Sequence, residues 1–253
     1  MKPVPTVLHL GPFTLHTYGV GLAIAFYVAY YYAAHRLERR GYDTSHFGRH
    51  AVVLVIAGLL GARAAHVATN WRYYHAHLSQ VIAVWHGGLA SFGALLVAAP
   101  LGIWLFRRSW PSASLLDLSD AVLPALVAAW SVGRFLGPQF MVAGGGHLTR
   151  QWFGMAYAGQ TGQRVPVPLI QGLEDAALWL SLLLLERRGV RRGVLTATAL
   201  MVWGLVRSID EFLLLGPAGS VGSRAVQLAG LTLAGLGLSI ALRVRHAARE
   251  LPN

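Results

Sequence analysis

The sequence predicts an all-α, polytopic membrane protein with about seven transmembrane helices. Of its 253 residues, 55% are hydrophobic and only 12% are charged, whereas about a quarter of the residues of a soluble domain carry a charge. Two long stretches, residues 3–35 and 73–106, contain no Lys, Arg, Asp or Glu. Each stretch is long enough for a helix of about 20 residues, the length that crosses a hydrocarbon core of roughly 30 Å.

Seven apolar segments are expected to form these helices in chain order. The first and third lie inside the uncharged stretches, and the second, fourth and sixth are mainly apolar and each carry a single arginine. The fifth and seventh are rich in leucine and end just before clusters of arginine. No internal repeat or linker is visible, so residues 1–253 are expected to form one transmembrane domain. The segments are 13–34, 51–69, 81–106, 117–136, 166–186, 193–214 and 225–242.

The distribution of basic residues predicts the orientation of the chain. Thirteen of its 21 Lys and Arg residues lie in loops on one side of the membrane, and five lie on the other. Cytoplasmic loops carry the excess of Lys and Arg, so the N-terminus is expected outside and the C-terminus inside. The net charge of +11 therefore indicates topology and attraction to anionic lipid rather than binding to nucleic acid. The thirteen are Arg36, Arg39, Arg40, Arg49, Arg107, Arg108, Arg187, Arg188, Arg191, Arg192, Arg243, Arg245 and Arg249.

The residue types that the sequence lacks narrow the chemistry open to it. The absence of cysteine excludes disulfides, thiolate nucleophiles and cysteine metal sites. The 11 histidines have no spacing of the H-E-x-x-H kind, so neither a metal site nor a cofactor is expected. The longest connection, residues 137–165, is rich in glycine and faces outwards on this topology. Loops of this length are usually functional, and this one is expected to form a small outer head.

Three arginines lie inside predicted helices: Arg63, Arg134 and Arg207. A guanidinium in the hydrocarbon region is costly unless it is paired or faces a cavity, so each is a candidate functional residue. The alternative is an arginine near a helix end whose side chain reaches the interface, and for Arg63 both interpretations stay open. Arg207 precedes Glu211 by four residues and can pair with it on one helix face. Arginines converging at one depth would bind phosphate, as in a phospholipid headgroup.

Four further polar residues have simpler expected roles. Asp120 is expected to cap or orient the inner end of its helix, far from Arg134. Glu174 and Asp175 open another helix and are expected at the outer interface. Tyr18 lies near the outer end of the first helix, where an interfacial aromatic is the ordinary interpretation.

Taken together, these features resemble the prolipoprotein diacylglyceryl transferase family of the bacterial cytoplasmic (inner) membrane. The resemblance spans nearly the whole chain and implies a seven-helix body with a small periplasmic head. It implies transfer of a diacylglyceryl group from phosphatidylglycerol to the thiol of a lipobox cysteine, a step of lipoprotein biosynthesis. Its motifs are Tyr18 with Gly19, "GARAAHV", "VWHGGLASFGALL", Asp120 with Pro124, Gly133 with Arg134, "QWFGMAY", Pro166 with Leu169, and Arg207 with Glu211.

The resemblance also implies which residues form the site. Arg134 and Arg207 match the essential arginines of the family, and their cations suit a phosphate leaving group whose charge grows during the reaction. Tyr18 and His86 are the other expected catalytic residues. The nucleophilic thiol belongs to the substrate, so the absence of cysteine is compatible with this chemistry. The expected substrate contacts are Arg63, Gly87, Gly88, Gly133, Gly145 and Glu211.

The chain departs from the family pattern at the groups that move protons. Phe92 stands where the family has a histidine thought to act as base, and Gly137 replaces an asparagine. Val142 and Gln171 stand at acidic positions. His86 is six residues before Phe92, roughly 240° around a helix, and could act as base only if the intervening double glycine breaks the helix.

Two functions therefore stay open. The first is a diverged diacylglyceryl transferase that uses His86 or His147 as base, or lowers the pKa of the acceptor thiol electrostatically. The second is a catalytically silent relative that binds anionic phospholipid or a partner protein. A transporter gains no support, because no inverted repeat or titratable chain through a broken helix is visible.

Overall fold

The computed structural model describes residues 5–11, 13–83, 88–137, 143–213 and 221–249. Within these residues the chain is mainly helical, which confirms the predicted all-α polytopic class; seven of the helices are long, and α3 is a single additional turn. A 3₁₀ turn follows at Leu78–Gln80. The helices are α1 Thr17–Glu38, α2 Phe47–Thr69, α3 Trp71–Tyr74, α4 Ser91–Ser109, α5 Leu115–Leu136, α6 Val167–Arg187, α7 Val194–Leu213 and α8 Val221–Arg249. The strands are β1 Val7–Leu10, β2 Phe13–His16, β3 Met155–Ala156 and β4 Gln163–Arg164, paired as two antiparallel hairpins.

The surface of the helical body is apolar, as a lipid environment requires. In the described part of the chain, five helices (α2, α4, α5, α6 and α8) are long and apolar enough to cross a membrane. Helices α1 and α7 are long but less apolar than these five. The five tyrosines of α1 reduce its mean hydropathy, and α7 carries three charged residues near its end. Large apolar side chains point outwards on successive helices, including Leu60, Leu96, Leu173 and Leu228. The chain is therefore a multi-pass membrane protein.

Helix α5 lies at the centre of the body and positions the residues that follow. It packs against α1, α6 and α7, while α2 pairs with α4 and α7 pairs with α8. Its small residues Ala121 and Ala125 are completely buried, which lets the neighbouring helices approach closely. The last turn of α5 carries Arg134, whose side chain lines a cavity between α5 and its neighbours.

The inner end of the body, where α1 and α6 end and α5 and α7 begin, is held together by charge. The basic loops predict that this end faces the cytoplasm. The Arg36 guanidinium donates to both carboxylate oxygens of Glu186, at 2.8 and 2.9 Å, and to the carbonyl oxygen of Ala121 at 2.7 Å. Arg40 donates to Asp117 and to Glu186, each at 3.1 Å. This inner charge cluster joins α1, α5 and α6.

Asp120 satisfies the first turn of α7 rather than that of its own helix. Its carboxylate accepts hydrogen bonds from the backbone N–H groups of Gly193, at 2.6 Å, and Thr196, at 2.7 Å. A helix begins with unpaired N–H groups and a partial positive charge, and a buried carboxylate stabilises both. The expectation that Asp120 organises the inner end is confirmed, although the helix that it caps is α7.

The prediction of one helix over 81–106 is wrong at its start, because α4 begins only at Ser91. Gly88 has φ +77°, a left-handed conformation that glycine adopts without strain, and Ala90 is extended. A Cβ atom on Gly88 would lie 2.6 Å from the Nε2 atom of His66. Glycine is therefore required here both for the turn and for the close approach to α2.

Helices α2 and α4 touch at a pair of glycines. A Cβ atom placed on Gly93 would lie 2.3 Å from the Cβ of Ala65 and 2.4 Å from the carbonyl oxygen of Gly61. With such contacts any side chain on Gly93 forces α2 and α4 apart, because two of the three nearest atoms belong to the backbone of Gly61. The glycine-rich motif thus combines a turn at Gly88 with a close helix crossing at Gly93.

The described part of the connection between α5 and α6 forms a small head beside the cavity considered below. Strands β3 and β4 pair in register Met155 with Arg164, and Leu148 bridges to Arg164 on the other side. The Gln160 side chain accepts from the Gly145 N–H at 2.9 Å and donates to the Gly145 carbonyl at 3.0 Å. These bonds fix the chain just after Ala143, where it enters the head.

We expect Gly93→Ala to lower the free energy of unfolding by about 1–3 kcal/mol, because the added methyl group overlaps α2. Gly102→Ala on the same helix is the control, since its Cβ would lie 3.6 Å from Leu54, an ordinary contact distance. That control should leave stability unchanged or raise it by up to about 1 kcal/mol. Thermal unfolding of the purified protein in detergent measures both. Equal midpoints for the two variants would contradict the close crossing.

Candidate functional site

A cavity of about 280 Å³ lies between α4, α5, α6, α7 and α8 near the outer end of the body. Its lining combines two arginines with tryptophan, one carboxylate and a band of apolar residues. Arg134 and Arg207, which the resemblance assigns to the site, both line it, and so does Phe92. The polar and aromatic part of the lining comprises Phe92, Trp130, Arg134, Gln171, Trp203, Arg207 and Glu211.

Arg207 is held by carboxylates on two helices. It is 5% exposed, and its guanidinium donates to Asp175 of α6 at 2.8 Å and to the carbonyl oxygen of Gln171 at 3.3 Å. A second carboxylate, Asp210, lies 3.3 Å away as an ion pair without hydrogen-bond geometry. The prediction that Arg207 pairs with Glu211 is therefore wrong. The residue three positions on, rather than four, faces the guanidinium, and Glu211 faces the cavity.

The sequence predicted that Asp175 lies at the outer interface. This prediction is wrong, because Asp175 is only 1% exposed and lies inside the body. Helix α6 begins at Val167, so Asp175 is already in its third turn, where α6 packs against α5 and α7. Glu174 is half-buried and lies close enough to Asp210 for the two carboxyl groups to interact. The expectation fails because the sequence places these acids near a helix start, whereas helix packing places Asp175 against Arg207.

Arg134 differs from Arg207 in that no carboxylate or carbonyl oxygen of the described residues accepts a hydrogen bond from it. Its guanidinium lies over the ring of Trp130, 5.8 Å from the centroid. Arg207 is close enough to repel it, and the carboxylates of Asp175 and Asp210 attract it only from beyond hydrogen-bond distance. A cation in this position is stabilised by an anion that enters the cavity.

Both arginines lie on tryptophans that contact each other. Arg207 lies over Trp203 at 5.7 Å, and the rings of Trp130 and Trp203 meet edge to face, with centroids 5.3 Å apart and an interplanar angle of 85°. The aromatic faces attract the guanidiniums and fix their planes. Sequence reasoning missed this pair, although its signal is visible: "WSVGR" and "WGLVR" place Trp four residues before Arg on both helices, and hence on one helix face.

Arg63 lies outside the lining of the cavity. It is 7% exposed, and its guanidinium donates to the backbone carbonyl oxygens of Gln80, Val81 and Gly88, at 2.5, 2.9 and 3.0 Å. It also lies over the ring of Tyr74 at 5.2 Å. These contacts fix the chain that leads into α4. They favour a structural role, and substrate binding by Arg63 stays a prediction.

The other sequence-predicted residues are placed around the cavity rather than in its wall. Tyr18 lies in the first turn of α1, within electrostatic range of Arg134. Gly133 faces Ala25 of α1, where a Cβ atom would be 3.1 Å away, and Gly145 packs against Tyr157 in the head. Neither glycine lines the cavity, so their expected contact with substrate stays a prediction.

The candidate bases have different placements. His86 and Gly87 lie outside the described residues, as does Val142. The break that His86 would need is present, since α4 starts after Gly88. His147 is half-buried in the head and does not line the cavity, while Gln171 donates to Asp210 at 3.1 Å. Among the described lining residues there is no histidine.

This fold and site define the class: a polytopic helical membrane protein with a cationic cavity enclosed by five helices. The model of the prolipoprotein diacylglyceryl transferase family matches residues 5–243, and the chain belongs to this enzyme family. It is 30% identical to a phosphatidylglycerol–prolipoprotein diacylglyceryl transferase of Geobacillus kaustophilus, over 98% of this chain and 95% of the relative. It is 27% identical to the transferase of the same name from Thermosynechococcus vestitus, over 97% and 94% of the two chains.

The two arginines are expected to differ in their effect on stability. Arg207→Met leaves Asp175 and Asp210 buried without their cation and should lower the free energy of unfolding by about 3 kcal/mol. Arg134→Met removes a cation for which the described residues provide no hydrogen-bond acceptor. This variant should leave the free energy of unfolding unchanged or raise it. Unfolding in detergent without added lipid measures the difference. An equal loss in both variants would show that Arg134 is also paired in the lipid-free protein.

Proposed function

We propose that the protein transfers a diacylglyceryl group from phosphatidylglycerol to the thiol of a lipobox cysteine in a prolipoprotein, at the bacterial cytoplasmic membrane. The observation that carries this proposal is the unpaired guanidinium of Arg134 beside Arg207 in the wall of one cavity. The names of the relatives supply the donor and the class of acceptor.

The composition of the cavity wall suits a phospholipid. The headgroup phosphate would lie against Arg134 and the face of Arg207 that its carboxylates leave open. The apolar lining, formed by Leu95, Val226 and Leu233 among others, suits the glyceryl group and the start of the acyl chains. A single phospholipid would therefore contact both the arginines and the apolar residues of the cavity lining.

The same arrangement favours the chemistry of group transfer. The sulfur of the acceptor attacks the glyceryl carbon next to the phosphate, and glycerol phosphate leaves with the electron pair of the broken C–O bond. Negative charge grows on the phosphate as that bond breaks, and guanidiniums already oriented by Trp130 and Trp203 stabilise it without reorganising. The cations also favour the thiolate form of the acceptor.

A second function is favoured by one specific observation. Phe92 lines the cavity at the position where the resemblance places the base, and a phenyl ring takes no proton. The second function is that of a catalytically silent relative, which binds phospholipid and a partner protein. Such a protein would keep the arginines and lose the base. Lipid binding is expected under both functions, so only turnover separates them.

The deciding assay uses the purified protein, phosphatidylglycerol with labelled acyl chains and a lipobox peptide. We expect turnover by the unmodified protein and a loss of about 10²–10³-fold in Arg134→Ala, because the growing phosphate charge loses a preorganised cation. Arg107→Ala, an exposed arginine at the inner end of α4, removes the same charge away from the cavity and should leave turnover unchanged.

The Phe92→His variant tells the two functions apart. Turnover only in Phe92→His would establish the silent relative, a lipid site without its proton acceptor. Turnover in the unmodified protein that survives Arg134→Ala would contradict the proposed site. Phosphatidylglycerol that co-purifies with each variant, measured in parallel, reports whether the lipid site is intact.

A further inference from the structure

We propose that Glu211 accepts the proton of the acceptor thiol. This assignment rests on the proposed transferase function and names the base that the function lacks. It follows from the composition of the cavity wall. Among the described lining residues Glu211 is the sole acidic side chain, and no histidine accompanies it.

The neighbouring carboxyl groups do not line the cavity, and two of them are paired with Arg207. Asp175 and Asp210 form ion pairs with Arg207, at 2.8 and 3.3 Å, and neither lines the cavity. Glu174 is also absent from the cavity lining and lies beside Asp210. Glu211 forms none of the salt bridges found among the described residues, and Arg134 acts on its carboxylate only from a distance. It is therefore the acid that an entering thiol can reach.

The position of Glu211 is fixed from two sides. It follows Arg207 by four residues, so it lies on the same helix face about 6 Å further along α7. The hydroxyl of Ser223, in the first turn of α8, donates a hydrogen bond to its carboxylate. A carboxylate has about four acceptor positions, so this bond orients the group and leaves others for a proton. Phosphate on the arginines and thiol beside Glu211 would then occupy adjacent parts of one cavity.

The step balances without a further reactant. The S–H bond breaks and its proton moves to the Glu211 carboxylate, while the sulfur electron pair forms the bond to the glyceryl carbon. The C–O bond to the phosphate breaks, and its electron pair leaves on glycerol phosphate. The proton then passes from Glu211 to that phosphate or to water. Transfer from a thiol to a carboxylate is feasible here because Arg134 and Arg207 stabilise the thiolate.

The test compares Glu211→Gln with the unmodified protein on two lipobox peptides, one with cysteine and one with selenocysteine. Glutamine keeps the size of the side chain and an oxygen for Ser223, so folding is preserved. With the cysteine peptide we expect kcat to fall by about 10²–10⁴-fold, and with the selenocysteine peptide by less than about tenfold. A selenol is already ionised at neutral pH and needs no base. Glu38→Gln, an exposed acid at the end of α1, is the matched control.

Each outcome decides between defined alternatives. Equal losses with both peptides would mean that Glu211 acts on structure or binding, which overturns the assignment. An unchanged kcat in Glu211→Gln would do the same, and loss in His86→Gln would then identify the base. If the unmodified protein is inactive with both peptides, the proposed function itself fails. Activity in the unmodified protein with selective rescue of Glu211→Gln by selenium supports the assignment.

Discussion

Two guanidinium groups placed side by side within a membrane body are the constraint around which the rest of the structure is arranged. Burying one such charge is costly, and a second nearby adds repulsion. The body meets this cost unequally. Arg207 contacts two carboxylates and a backbone carbonyl, whereas Arg134 lies on the face of Trp130 and is attracted by those carboxylates only from a distance. An anionic ligand would offset the remaining cost, because Arg134 lies in the cavity wall.

The unequal treatment of the arginines divides their roles. Arg207 links α6 to α7 through Asp175, so its orientation is part of the packing of the body. Arg134 is positioned by α5 and its tryptophan, with its hydrogen-bond donors left for another group. The edge-to-face contact of Trp130 with Trp203 couples the two helices at this depth. A site built in this way holds its geometry before a ligand arrives, which is the condition for electrostatic stabilisation of a developing charge.

The sequence was sufficient for the helices and for the central pair of arginines, because both depend on local properties. Apolar length identifies a membrane helix, and an arginine within it requires a special environment. The start of α4 was predicted incorrectly, because it depends on Arg63 and His66 of another helix, which close on Gly88. The pairing of Arg207 with Asp175 was missed for the same reason. It joins residues 32 positions apart, through a packing of α6 on α7 that periodicity does not encode. The contact between Trp130 and Trp203 is a different case. The spacing of each Trp from its Arg is visible in the sequence, but only the fold shows that the two tryptophans touch.

The inner charge cluster imposes an order on assembly. The Arg36 side chain at the end of α1 has its partners in α5 and α6, and Glu186 follows it by 150 residues. At a synthesis rate of about 5–20 residues per second, roughly 8–30 s pass before that carboxylate is made. During this interval the first helix can cross the bilayer, but its final contacts do not yet exist. The insertion machinery must therefore tolerate an unpartnered arginine at the end of α1 until the fifth long helix of the chain has been made.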